Sequence, residues 1–120
     1  MPQGQAVANF PSRISRQTIT IASGQTESEA LGLGAGVIVG IQTPAALTST
    51  AMTFKVSSDG ENTYKDMYND AGTQVSVTVA ADRFIRFVPQ DFAGVESLKL
   101  VMGTAEGADR DIIVTFRAVD

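Results

Sequence analysis

The chain has 120 residues, 43% hydrophobic and 18% charged, with a formal net charge of -4, no His and no Cys. That is one domain's worth of ordinary globular composition, long enough to bury a core without metal or disulfide support. The acidic balance excludes a broad phosphate-binding surface, and the lack of His and Cys excludes Ser-His-Asp and Cys-His nucleophile systems.

The start, Met1-Pro2-Gln3-Gly4-Gln5, has neither the basic nor the apolar region of a signal peptide. The longest nearly apolar stretch, Leu31 to Ile41, is broken by Gly32, Gly34, Gly36 and Gly40 and is too short to cross a bilayer. A soluble chain made in the cytoplasm is expected, with neither membrane nor nucleic acid as partner. Residues 1–16 sustain no period of 2 or 3.6. They read as an extended N-terminal arm, with Phe10 as apolar anchor and Arg13 and Arg16 as polar clamps on a partner. The alternative for this segment is a frayed terminus. Residues 17–120 read as a single domain.

From Thr18 the period becomes 2, with Ile19 and Ile21 on one face of a half-buried strand. Gly24 ends it. Leu31 and Leu33 alternate with glycines, and the run Val37-Ile38-Val39-Gly40-Ile41 follows. A β-branched run of that length predicts a strand covered on both sides, and its glycines predict a bulge or a close backbone approach. Pro44 stops it and a loop follows. Met52, Phe54 and Val56 share one face of the next strand, which turns at Asp59-Gly60. Tyr64 to Tyr68 resumes as a strand, and Asn69-Asp70-Ala71-Gly72 is a second turn. Val75, Val77 and Val79 alternate with polar residues. Arg83 to Val88 is a further strand, closed by Pro89. Leu98, Leu100 and Met102 face inward, and Ile112, Val114, Phe116 and Ala118 mark the last strand. Some eight or nine short strands without an amphipathic helix predict an all-β sandwich or barrel.

Two resemblances refine this. Phe54-Lys55-Val56-Ser57-Ser58-Asp59-Gly60 with Tyr64, then Asp82-Arg83-Phe84-Ile85-Arg86-Phe87-Val88-Pro89, then Leu98 to Gly103, resemble segments of the discoidin and galactose-binding-like superfamily. That resemblance implies an antiparallel β-sandwich of jelly-roll type. The chain departs from the pattern in having no Trp and no long loops with exposed aromatics, so sugar or lipid binding is not carried over. Over residues 18–119 the chain is similar to small phage virion proteins encoded among head and tail genes. The motifs are Ser23-Gly24-Gln25-Thr26, Val39-Gly40-Ile41-Gln42-Thr43-Pro44-Ala45, the strand into Asp59-Gly60, the Tyr68-to-Thr73 turn and Arg83-Phe84-Ile85. This resemblance implies a capsid decoration, or cement, protein located on the virion's capsid surface. Its partners would be the major capsid protein and further copies of itself, and a trimer would fit the local three-fold positions of an icosahedral shell.

Several side-chain groups suggest sites, and each has a plainer role. Asp59, Glu61 and Asn62 suggest a calcium loop, but their spacing is that of a solvated Asp-Gly turn. The pairs Asp66 with Asp70 and Asp109 with Asp111 fall in turns and strand edges, where solvated acids are expected. No catalytic, cofactor or metal residue is therefore assigned. Arg83 and Arg86 flank Phe84 and Ile85 and join Phe10, Arg13 and Arg16 as candidate capsid or subunit contacts; a structural role for Arg86 is the alternative. The expected function is non-enzymatic binding and stabilisation of an icosahedral phage capsid. The competing expectation is a carbohydrate- or surface-binding module of a tail or fibre, for which only Tyr64, Tyr68 and Phe92 are available.

Overall fold

A computed structural model describes residues 14–34 and 36–118. Nine strands appear among them: β1 Ile14–Ile21, β2 Leu31–Gly32, β3 Gly36–Gln42, β4 Ala51–Ser57, β5 Lys65–Asp66, β6 Ser76–Thr78, β7 Phe84–Arg86, β8 Ser97–Met102 and β9 Arg110–Ala118. A 3-10 turn, Pro89–Phe92, separates β7 from β8. Every pairing between these strands is antiparallel. Sheet A has the order β1-β9-β3-β7, and sheet B the order β2-β8-β4-β5 with β6 also on β4. The expected all-β sandwich is what forms.

Alternation decides which side chains meet between the sheets. Ile19, Ile21, Ile112 and Val114 of sheet A face Met52, Phe54, Leu98 and Leu100 of sheet B, all buried. Three aromatic rings tie the layers. Phe54 meets Phe87 and Phe92 edge to face, with centroids 5.4 and 5.1 Å apart, and Phe87 stacks on Phe92 at 5.4 Å. Each such side chain contributes roughly 1.5–3 kcal/mol when fully buried.

β3 departs from the expectation of cover on both sides. It runs between β9 and β7 within its sheet, yet Val37 and Val39 remain half-exposed while Ile38 and Ile41 are buried. The expected bulge explains the unbroken apolar run. The register to β9 shifts between Ile38 and Gly40, so residues three apart both point inward. No second layer is needed on the outside.

The strand expected from Tyr64 to Tyr68 shrinks to Lys65–Asp66. Asn69 Oδ1 accepts the Ala71 and Thr73 N–H groups at 3.0 Å each and lifts a small loop out of the sheet. Below it Tyr68 bridges to Gln74, so β5 and β6 line one edge of β4 as a single interrupted strand. The strand expected over Arg83 to Val88 is likewise confined to Phe84–Arg86. Asp82, at φ 61, bends the chain on entry, and the Pro89 turn begins just after.

Candidate functional site

The register across sheet A assembles a cross-strand row that no stretch of sequence displays. Arg16 of β1 pairs with Thr115 of β9, Thr115 with Gly40 of β3, and Gly40 with Arg86 of β7. Val114 and Ile41, next to Thr115 and Gly40, point into the core, as does Ile19 three residues beyond Arg16, so this row lies on the outer face. One row along, Arg117 lies between Ile14 and Val37. Arg16, Arg86 and Arg117 are all exposed, and none has an ion-pair partner among the described residues. The one carboxylate on β9's outer side, Asp111, accepts the Thr20 hydroxyl at 2.7 Å, at the far end of the face.

Gly40 shapes the middle of this face. A Cβ there would lie 2.4 Å from Phe84 Cζ and 2.8 Å from the Ile85 carbonyl oxygen. Only glycine lets the Phe84 ring lie across β3. The ring remains 54% exposed, and Val88, one turn of the alternation beyond Arg86, is 58% exposed. The face thus combines unpaired guanidinium groups with apolar surface, a composition suited to protein contact.

The outer side of sheet B carries cations too, but they are partnered. Lys55 Nζ donates to Glu27 Oε2 at 2.6 Å, and Lys99 Nζ sits 4.7 Å above the Tyr64 ring. The hydrogen bond between Lys55 and Glu27 lowers the Glu27 pKa and raises that of Lys55. At the nearby turn, Asp59 accepts hydrogen bonds from Thr63 and Ser57. The Thr63 hydroxyl is the main cause holding its carboxyl at about 2. That carboxylate is committed to its own turn, and no group of three or more metal-ligating side chains occurs among the described residues.

At the end of the sandwich where β9 begins, a buried charge holds three loops together. Glu106 is 1% exposed. Its carboxylate accepts the Thr48 and Ser49 N–H groups at 2.8 and 3.0 Å and Arg110 Nε at 2.9 Å. Burial opposes its ionisation, but the bonds from Thr48, Arg110 and Ser49 outweigh that and hold its pKa at about 2. Glu106 is fully employed in structure.

Of the residues singled out in the sequence, Phe10 and Arg13 lie outside the described residues. Arg16 belongs to β1, which starts at Ile14, so the last residues of the expected arm are part of the sheet. Arg16 and Arg86 share the row just described but sit at opposite edges of sheet A. Arg83 precedes β7 and donates from Nε to the Ala81 carbonyl at 3.2 Å. Arg117 was not singled out. Inward-facing Phe116 implies that Arg117 faces outward, but only the register places it beside Ile14 and Val37. Of the three aromatics weighed for sugar contact, Phe92 is buried and the Tyr64 hydroxyl meets Ser97 Oγ at 2.8 Å, while Tyr68 is 57% exposed.

No protein-family model matches the chain, and no curated protein matches it. Among solved structures it is similar to the SPBc2 prophage-derived protein YomS, with a TM-score of 0.56 at 15% identity, over 93% of this chain and 98% of that one. A chain of the cyanophage Pam1 capsid asymmetric unit aligns over 99% of this chain and 94% of that one, at 14% identity and a TM-score of 0.35. The first likeness is one of fold; the second is too loose to carry an argument.

Proposed function

We propose that the chain is a non-enzymatic structural component of a phage virion, a decoration protein that seats the outer face of sheet A on an acidic face of the major capsid protein. The observation that carries this is the arginine face: Arg16, Arg86 and Arg117 exposed and unpaired on a chain of net charge -4. Leaving three cations unpaired in an acidic protein is unfavourable to no one contact, but it creates a local field opposite in sign to the whole. A planar guanidinium grips carboxylates with two parallel hydrogen bonds, which fixes orientation as well as attraction. Phe84, Val88 and Ile14 supply apolar area beside them.

The motif resemblance to small virion proteins and a fold shared with a prophage-derived protein support this reading. So does the winding of the chain. With β5 and β6 counted as one strand, the chain crosses between the sheets at every step except the β4–β5 hairpin, and the sheet orders β1-β9-β3-β7 and β2-β8-β4-β5 are those of a double-sheet jelly roll. On a capsid lattice, several modest contacts engaged together gain roughly 10²–10⁴ in avidity. No cofactor enters this function. Co-sedimentation with undecorated capsids tests it: binding that weakens as salt rises is expected. Absence of binding at micromolar concentration would refute it.

A second reading, a glycan-binding module, is favoured by one observation. Exposed Tyr68 borders a depression of about 360 Å³ shared with Asn69, Asp70, Gln90 and Asp91. Glycan-array binding lost in Tyr68→Ala would support that reading.

A further inference from the structure

The open edge of sheet A at β7 has a geometry that the docking face does not use. Arg83 O accepts from Thr43 N at 2.8 Å, and Phe87 N donates to Val39 O at 2.9 Å. With Ile85 paired to Ile41, the hydrogen-bonded positions of β7 are therefore 83, 85 and 87. The N–H and C=O groups of Phe84 and Arg86 point the other way, off the sheet, and no group among the described residues bonds to them. Two of the large apolar side chains left exposed, Phe84 and Val88, lie along this edge.

We infer that β7 pairs with β7 of a second copy of this chain, antiparallel about a two-fold axis through Ile85, fusing two A sheets into one continuous sheet. The register follows from the edge itself. Along this edge Phe84 and Arg86 are the residues with both N–H and C=O free, since Asp82 N and Val88 O are taken by Pro44 O and Asp91 N, so the two-fold registers to compare are centred on Phe84, Ile85 and Arg86. Centring on Phe84 forms one hydrogen-bonded pair. Centring on Arg86 sets Arg86 against the partner's Arg86, and like charges directly opposite are unfavourable. Centring on Ile85 forms two hydrogen-bonded pairs, Phe84 with the partner's Arg86 and Arg86 with the partner's Phe84. Each Arg86 then lies opposite the partner's Phe84, with no like charge facing it, in a pair made twice by symmetry. Half-buried Ile85 meets the partner's Ile85 on the inner side, which completes its cover.

The sequence fits this pairing. Gly40 leaves room for the Phe84 ring to lean over β3, away from the main-chain groups of the edge. Val88 O is already taken by Asp91 N at 3.1 Å, so pairing ends where the 3-10 turn begins. The dimer sets two arginine faces side by side, which suits the proposed docking but does not depend on it.

The test uses purified protein without capsids, so its outcome is separate from that of the capsid experiment. Sedimentation velocity from micromolar to millimolar concentration is expected to show a reversible dimer. Phe84→Pro removes an outward N–H that the monomer does not use, and is expected to weaken the dimer about a hundredfold. Circular dichroism would verify that this variant stays folded. Because the chain has no Cys, Ile85→Cys provides an independent probe. Non-hydrogen-bonded partners lie about 4.5 Å apart at Cα, within disulfide range, so mild oxidation should link two copies through that position. A monomer at all concentrations, a dimer indifferent to Phe84→Pro, or Ile85→Cys that does not cross-link would overturn the inference.

Discussion

The two outer faces of this sandwich handle positive charge differently. On sheet B, Lys55 is bonded to Glu27 and Lys99 covers Tyr64. On sheet A, Arg16, Arg86 and Arg117 stand in neighbouring rows without an acid opposite any of them. The difference is also one of residue type: lysines on one face, arginines on the other. A lysine serves well enough as a point charge beside a carboxylate, whereas a guanidinium is a fork shaped for bidentate contact. Where the fold itself depends on a charge, at Glu106, every available bond is made. Unpaired charge on sheet A is therefore better ascribed to something outside the chain than to the fold.

Removing the most fully partnered charge should have the largest effect on stability. Glu106→Ala strands the Thr48 and Ser49 N–H groups and leaves the half-buried Arg110 guanidinium with its Thr48 hydroxyl bond but no carboxylate. A loss of about 3–5 kcal/mol is expected in denaturant unfolding. A smaller loss, under about 1 kcal/mol, would show that this end of the molecule is not held as described.

Acid should reproduce part of that loss in the unmodified protein. Glu106 has its folded-state pKa lowered from 4.5 to about 2, so its stabilisation is complete above the unfolded value and disappears as pH falls from 4.5 towards 2. The shift corresponds to roughly 3 kcal/mol. Asp59, likewise at about 2, moves in the same direction from a fully exposed position. Melting temperature measured between pH 6 and pH 2 checks this. The acid-induced drop should be much reduced in Glu106→Gln, already destabilised at neutral pH.

Gly40→Ala tests the middle of the arginine face. The new methyl would meet the Phe84 ring and the Ile85 carbonyl, and the second is backbone that cannot swing away. An expected cost of about 1–3 kcal/mol follows, only partly relieved by adding Phe84→Ala. Smallest are the exposed charges. Glu27→Gln should cost at most about 1 kcal/mol, and Arg16→Gln or Arg117→Gln about 0.5 kcal/mol or less. A large loss from either arginine would mean that sheet A's charges serve the fold after all.

The contrast between the faces was only half legible in the sequence. Alternation located the core sides of most long strands: Ile19 and Ile21, Met52 and Phe54, Leu98 to Met102, Ile112 and Val114 are where the pattern put them. It failed where backbone geometry overrides period. Ile14 to Gln17 extend β1 with side chains exposed on both sides, so no alternation marks them and Arg16 read as part of an arm. The bulge between Ile38 and Gly40 makes β3 look buried on both faces when one is open. Asn69 breaks one expected strand by bonding its own loop. The arginine row is a property of register between β1, β9, β3 and β7, residues as distant as Arg16 and Thr115. A single strand's pattern cannot show which residues of other strands lie beside it. That is why Arg83 and Arg86 could be noticed as a local pair while Arg117 was missed.

The most direct test of the account compares two triple variants of equal charge change in capsid co-sedimentation. One carries Arg16→Glu, Arg86→Glu and Arg117→Glu; the other carries Lys55→Glu, Lys65→Glu and Lys99→Glu. Both change net charge alike, so general repulsion from the capsid affects them equally. The arginine variant, still folded, is expected to bind at least about a hundredfold more weakly than the unmodified chain, while the lysine variant keeps most of its affinity. Equal losses in both, or an arginine variant that sediments with capsids like the unmodified chain, would contradict it.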